Sequence, residues 1–296
     1  MRTPYAVTVP YYANPLYLRL TLDSVVAQTD ADWWCAVVDD SPDDSARAVV
    51  EAVGDPRVRL ERNGRTLGVA GNFERCFEVA EAGGAELAVV LHADDLLEPG
   101  YVAAVRAAHA AHPDAACVTP RVTVIDHEGR PHLPLPDRVK AALWPRHDTV
   151  LGGDRGLQRL LRGQFFYCPA VSYRLALVPR PAWDERWRQV MDLMLYGRVL
   201  LQGGSIELLD ERLFRYRRHE ASETQLNSAT LSRTVEEHAA CRELAAGAAA
   251  LGWRRARWAG VLRWTVRLQC LVQAARALVG RRWRVAGRAV VLAVTP

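Results

Sequence analysis

The chain has 296 residues, 50% of them hydrophobic and 24% charged, with 38 Lys and Arg against 34 Asp and Glu. This balance excludes a disordered tail protein, a collagen and a disulfide-stapled miniprotein. The length suits one large α/β domain with an appendage, or two small domains. Six scattered cysteines without a C-x-x-C pair favour free thiols in a reducing compartment. No basic start followed by a long apolar run opens the chain, so no secretory signal is expected, and no uncharged apolar stretch is long enough for a spanning helix.

In chain order, Tyr5 to Pro10 reads as a buried strand. Asn14-Pro15 follows as N-cap and first residue of a helix. Trp33 to Val38 reads as a second strand, running straight into Asp39-Asp40-Ser41. Asp43 and Asp44 open a second helix, where carboxylates suit the dipole. Val58 to Leu60 is a short third strand. Leu67-Gly68 to Asn72 turns into a third helix that Gly83-Gly84 stops. Leu87 to Leu91 is a fourth strand, delivering His92-Ala93-Asp94-Asp95. A helix after Pro99 and a strand over Cys117 to Ile125 complete an alternation of strands and helices, which predicts a largely parallel sheet covered on both faces. The Pro-, His- and Arg-rich stretch from Asp126 to Asp154 reads as a long loop able to close over a site. Beyond it come a helix at Gly156–Leu161, a strand over Ala170–Val178, a helix over Gln189–Leu201, two short strands at Ile206–Leu209 and Arg212–Tyr216, and helical sequence after Ser222.

Both acidic clusters fall at strand C-termini, where ligands bind such sheets. Paired carboxylates at Asp94-Asp95 suit a hard divalent cation whose remaining shell is water and phosphate; helix capping is the alternative reading. Asp39 and Asp40 are placed to accept N–H or hydroxyl groups of a nucleoside, while Asp43 and Asp44 read as helix-start residues.

The order VTVPYY, VVDDSPDD, LGVAGNFERC and VVLHADDLLEPGYV resembles the nucleotide-binding half of the family 2 inverting glycosyltransferases, over Pro4 to Tyr101 and more loosely to Thr224. The resemblance implies the GT-A fold, an α/β Rossmann-like architecture with a mostly parallel sheet. It implies residues 1–225 as the catalytic domain (1–125 for the nucleotide-sugar, 126–225 for the acceptor and its loop), with residues 226–296 as a helical extension. By position, Pro10 and Tyr11, with Thr8, line the base pocket. Asp40 accepts the base imide N–H, and Asp39 lies near the ribose. Gly68 and Asn72 lie along the nucleotide, and Asp94 meets the ribose or diphosphate; Arg62 and Arg65 are near enough in sequence to reach base or phosphate, plain surface arginines being the alternative reading. Asp95 binds Mn²⁺ or Mg²⁺, helped by His219. His92 departs from the family, standing where many members carry an acid; a core histidine is the preferred reading, and metal dependence is the weaker expectation. Asp192 in WRQVMDL resembles the catalytic base, with Asp184 and Glu185 in reserve; its alternative is a helix N-terminal Asp. Tyr216, Arg217 and His219 match the Tyr-Arg-x-His segment, with Arg217 or Arg218 available to phosphate.

The implied reaction is a hexosyltransferase single displacement from a UDP- or dTDP-sugar to an acceptor hydroxyl, the acceptor being a glycan, a lipid-linked sugar or a small aglycone. A degenerate nucleotide-sugar-binding or membrane-associated scaffold is the alternative. From Leu244 to Pro296 there are ten Arg and no Asp or Glu, interleaved with Trp. Peripheral membrane contact or a homodimer is expected there, in a cytoplasmic protein. Beyond its charge, nothing in this segment points to nucleic acid.

Overall fold

The computed structural model describes residues 4–147, 149–218 and 231–294. The chain divides into two compact units. The first comprises Met1–Val150, Phe165–Glu185 and Gly204–Arg218; the second comprises Leu151–Gln164, Arg186–Gly203 and His219–Pro296.

The first unit is built on strands β1 (Tyr5–Tyr11), β2 (Trp33–Asp39), β3 (Val58–Arg62), β4 (Leu87–Val90), β5 (Leu96–Leu97), β6 (Ala115–Ile125), β8 (Ser172–Arg174) and β9 (Ser205–Arg217), in the spatial order β3-β2-β1-β4-β8-β6-β9-β5. β1 to β4 are mutually parallel, β8 runs antiparallel between β4 and β6, and β6 pairs parallel with β9. The sheet is therefore mostly parallel, as the alternating pattern predicts. Every residue of β1 is buried except Pro10, which is half-buried. That near-continuous apolar run is what a strand covered on both faces requires.

Helices α1 (Pro15–Val26), α2 (Ser45–Val53), α3 (Gly68–Ala82) and α4 (Tyr101–Ala111) connect or flank these strands. Asn14 caps α1 as expected, its side chain accepting from the Tyr17 N–H at 3.2 Å. Phe77, Val79 and Ala80 of α3, and Leu18, Leu22 and Val25 of α1, are buried. The chain passes from β1 to β2 on one side and returns through β3 and α3 to β4 on the other. The β1/β4 boundary is thus the topological switch, where ligands bind such sheets.

Three expectations change. The stretch 126–154 is not a long loop: it holds α5 (Leu135–Leu143) and strand β7 (Thr149–Gly152). The prolines that read as loop punctuation act as the N-cap, Pro134, and an early helical position, Pro136, both places where a missing N–H costs little. The two short strands after residue 205 are one strand, β9. Its register against β6 jumps from Pro120–Leu209 to Arg121–Arg212, so Asp210-Glu211 is a bulge and not a break. The strand expected over Ala170–Val178 shortens to β8, because residues 168–170 and 175–177 form 3₁₀ turns.

The second unit is helical: α6 (Gly153–Leu161), α7 (Met191–Leu201), α8 (Ser232–Ala250), α9 (Arg254–Leu262), α10 (Trp264–Val279) and α11 (Trp283–Val294). Gly197 lets α7 approach α8 closely, since a Cβ there would lie 2.4 Å from Leu244 Cδ2. No helix among the described residues is long and apolar enough to cross a membrane.

Candidate active site

The end of β2 and the start of α3 form one hydrogen-bonded assembly around Asp40. Its Oδ1 accepts from the Leu67 N–H at 2.8 Å and from Asn63 Nδ2 at 2.9 Å, and its Oδ2 accepts from the Gly68 N–H at 2.9 Å. A carboxylate offers about four acceptor positions, so one on Oδ2 remains beyond these contacts. Gly68 has φ +76°, a conformation glycine adopts without strain; that turn aims the N–H at Asp40. Asn72, buried within α3, donates to the Val38 carbonyl at 3.1 Å and accepts from Asn63 at 2.9 Å.

Asp39 is buried. Its Oδ1 accepts from the Ser41 N–H at 2.9 Å and from Ser41 Oγ at 2.6 Å, while Oδ2 has no hydrogen-bond partner among the described residues. Tyr11 places its ring in the core and its hydroxyl 2.8 Å from Ser45 Oγ at the start of α2. Pro10 is half-buried beside it. Arg62 pairs with Asp44, and Arg65 lies exposed on the loop before α3.

The end of β4 forms the second half. His92, Asp94 and Asp95 bring one nitrogen or oxygen each within 4.8 Å of one another. Asp95 is completely buried. Its Oδ1 accepts from the Arg217 N–H at 2.7 Å, and its Oδ2 has no hydrogen-bond partner among the described residues. Burial, with the neighbouring Asp94 charge, raises the Asp95 carboxyl well above the usual range, against the lowering influence of Arg217. Such a group calls for a proton or a cation on its second oxygen. His92 is half-buried, with its ring 5.2 Å from Phe73, so it joins the carboxylate cluster while also packing against the aromatic side of α3. The residues present therefore fit a divalent cation, with two carboxylates and one imidazole.

Arg217 organises this turn from below. It is buried, donating from Nε to the Asp94 carbonyl at 2.9 Å and from Nη1 to the Asp126 and His127 carbonyls at 3.1 and 3.2 Å. Its guanidinium lies 4.8 Å from the centre of the Tyr17 ring. Arg218 grips Asp137 of α5 through two bonds of 2.6 and 2.8 Å, and the Tyr167 hydroxyl donates to the same carboxylate at 2.7 Å. Burial alone would raise the Asp137 carboxyl, but Arg218 and Tyr167 hold it below its ordinary value. Both guanidiniums expected to face phosphate are thus engaged with the protein. His219 lies outside the described residues.

In the second unit, Asp192 occupies the first turn of α7. Its Oδ2 accepts from Gln164 Nε2 at 2.6 Å, and its Oδ1 accepts from the Leu193 N–H at 2.8 Å. Of its reserves, Asp184 is half-buried and Glu185 exposed, both in the first unit.

Sequence reasoning did not single out Asn63, Ser41, Glu74 or Asp137. Asn63-Gly64 is a recognisable turn dipeptide and would have marked the first. Glu74 projects from α3 to accept the Ala182 and Trp183 N–H groups at 2.9 and 3.1 Å and to pair with Arg180 at 3.0 Å; no local pattern announces so distant a partner.

The profile of glycosyl transferase family 2 matches residues 6–172. An uncharacterised Mycobacterium tuberculosis protein is 35% identical over 95 residues, a match spanning 32% of this chain and 29% of that protein. Staphylococcus aureus TarS 1–349 superposes with a TM-score of 0.64 at 15% identity, over 99% of this chain and 81% of that one. Its complex with UDP-GlcNAc gives 0.61 at 18% identity, over 83% and 66%. The mannosyltransferase PcManGT of Pyrobaculum calidifontis, in complex with GDP-Man and Mn²⁺, gives 0.56 at 15% identity, over 99% and 86%. The architecture shared with these structures is the GT-A fold.

Proposed function

The chain belongs to glycosyl transferase family 2, and we propose that it transfers a hexose from a nucleotide-diphosphate donor, a UDP- or dTDP-sugar, to an acceptor hydroxyl with inversion. The carrying observation is the buried Asp95 carboxylate, with Oδ2 lacking a hydrogen-bond partner beside Asp94 and His92 at the end of β4. Asp40 keeps an acceptor position for the base imide, and Asp39 lies beside it with a buried second oxygen that no hydrogen bond among the described residues satisfies. A uracil nucleotide is supported by the UDP-GlcNAc complex of TarS, and a cation by the Mn²⁺ of PcManGT.

Asp94, Asp95 and His92 would hold a Mn²⁺ or Mg²⁺, which when bound offsets charge on the diphosphate. The acceptor oxygen forms a bond to the anomeric carbon as the bond from that carbon to the diphosphate oxygen breaks, and the electron pair leaves with the diphosphate. Asp192 takes the acceptor proton. Gln164, bonded to Oδ2, and the Leu193 N–H, bonded to Oδ1, fix the carboxylate rotamer.

The test is calorimetry and thermal shift with UDP, dTDP, GDP and CMP, each with and without Mn²⁺ and Mg²⁺. Ligands that bind only the folded state raise its stability. A response selective for UDP or dTDP, lost in Asp40→Ala and Asp95→Ala, supports the donor reading. Asp192→Asn must then keep that response while abolishing donor turnover. No response to any nucleotide overturns the reading in favour of a degenerate scaffold.

A further inference from the structure

Helix α10 has its amphipathicity inverted. Its buried positions are Val266, Cys270, Ala274 and Ala277, while Trp264, Leu268, Leu271, Val272 and Leu278 are exposed. The exposed set recurs at the three- and four-residue spacing of one helix face. Helix α11 repeats the arrangement: Ala286, Ala289 and Ala293 are buried, and Trp283, Val290, Val291 and Val294 are exposed. A helix folding only against its own unit would turn its large side chains inward. Here small residues make the helix–helix seam and the large ones face out.

The two helices pack against each other across the three-residue link Gly280-Arg281-Arg282, which makes them antiparallel neighbours. At the tip, Val279 is 88% and Trp283 67% exposed, flanked by exposed Arg281, Arg282 and Arg284. Trp264, at the other end of the α10 stripe, also lines a cavity of about 440 Å³ with Trp258 and the side chains of Arg162, Arg254 and Arg255.

We propose that the α10–α11 hairpin docks on an anionic phospholipid bilayer, with the tip from Val279 to Arg284 entering the headgroup region. The charge pattern selects this occupant. From Trp264 to Val294 the hairpin itself has six Arg and no acid, so two copies of this face would bring like charges together. A bilayer surface offers anionic headgroups to the arginines and an acyl boundary to Trp, Leu and Val. Neither helix qualifies as a membrane span, so the hairpin lies in the interface.

The experiment uses the full chain with vesicles of phosphatidylcholine alone, or mixed with phosphatidylglycerol, sedimented over a range of NaCl. The hairpin should partition onto the mixed vesicles, with a blue-shifted Trp emission, and release as salt rises. Arg281→Gln with Arg282→Gln should weaken partition by about 30-fold, at about fivefold per arginine, while lysine at both positions should keep it. Val279→Ser with Trp283→Ser should abolish the emission shift. All four positions are exposed, so the melting midpoints in buffer should match wild type. Equal partition onto neutral vesicles, or none onto anionic vesicles at low salt, overturns the proposal. So does a dimer, seen by sedimentation velocity in buffer, that the Val279→Ser and Trp283→Ser substitutions dissociate.

Discussion

Replacing Arg217 by Met tests how the Asp94–Asp95 turn is held. The methionine retains much of the apolar stem but removes the guanidinium and its three bonds, to the Asp94, Asp126 and His127 carbonyls. His127 is exposed and Asp126 half-buried, so water can reach those two carbonyls, and each lost bond costs about 0.5–1.5 kcal/mol. The Asp94 carbonyl sits against the buried turn and costs about 1–3 kcal/mol if left unmade. The total is about 2–6 kcal/mol. In a domain of this size each kcal/mol lowers the melting midpoint by about 2–4 °C, so a drop near 10 °C is expected. Arg217→Lys keeps the charge but cannot reach three carbonyls from one ammonium, and it should fall between wild type and Met. Urea titration and thermal melts, followed by tryptophan fluorescence, read the effect. A Met variant within 0.5 kcal/mol of wild type, or a Lys variant equal to wild type, refutes the clamp.

Other consequences are open to similar measurement. Asp95→Asn removes a buried charge yet keeps an acceptor for the Arg217 N–H; because the folded carboxyl is raised, its ionisation opposes folding at neutral pH. The variant should melt at or above wild type without metal and lose the stabilisation, about 2.7 kcal/mol at a hundredfold excess over Kd, that Mn²⁺ gives wild type. A metal response in the variant equal to wild type counts against the site. Asp40→Asn places an N–H₂ against at least one of the donors from Asn63, Leu67 and Gly68, so a loss of about 1–3 kcal/mol is expected; an unchanged urea midpoint would show that these three bonds carry no weight. His109 is driven down to about 3 by burial and then by Arg174, so below the ordinary value of 6.5 the unfolded chain binds a proton that the folded chain refuses. Stability from this group is complete above that value and falls by about 1.4 kcal/mol per pH unit on acidification toward 3. His109→Gln should flatten that part of the pH profile, and parallel profiles for the two proteins would contradict the assignment.

The strands of the nucleotide half were legible because buried parallel strands are apolar runs, and each ended at a charged or turn residue that marked its tip. Asp39, Asp40, Asp94 and Asp95 could be named for the same reason: they directly follow those runs. What escaped was whatever depends on remote pairing. That Asp40 spans to Leu67 and Gly68, or that Arg217 closes on Asp94, requires knowing which strands are neighbours. α5 was hidden because its prolines are tolerated only at the first helical turn, and because its anchor, Asp137, finds Arg218 and Tyr167 far along the chain. The β9 bulge imitated a turn, since Asp-Glu in mid-strand reads as an interruption when the partner strand is unknown.

The long pairing of β6 with β9 also carries a temporal meaning. Ala115 meets Ser205, and the ladder runs on to Ile125 opposite Arg217, so a large stretch of chain must be enclosed before the final rungs form. Non-local closures of this kind come late in folding. The first four strands pair among themselves within residues 5–90, yet the backbone N–H that meets Asp95 and the guanidinium that holds Asp94 both belong to the last residue of β9. A nascent chain or proteolytic fragment ending before Arg217 would display every acidic signature of the family without the lock that shapes them. The turn that carries Asp94 and Asp95 is therefore completed only when β9 closes, with residues 218–296 still to follow along the chain.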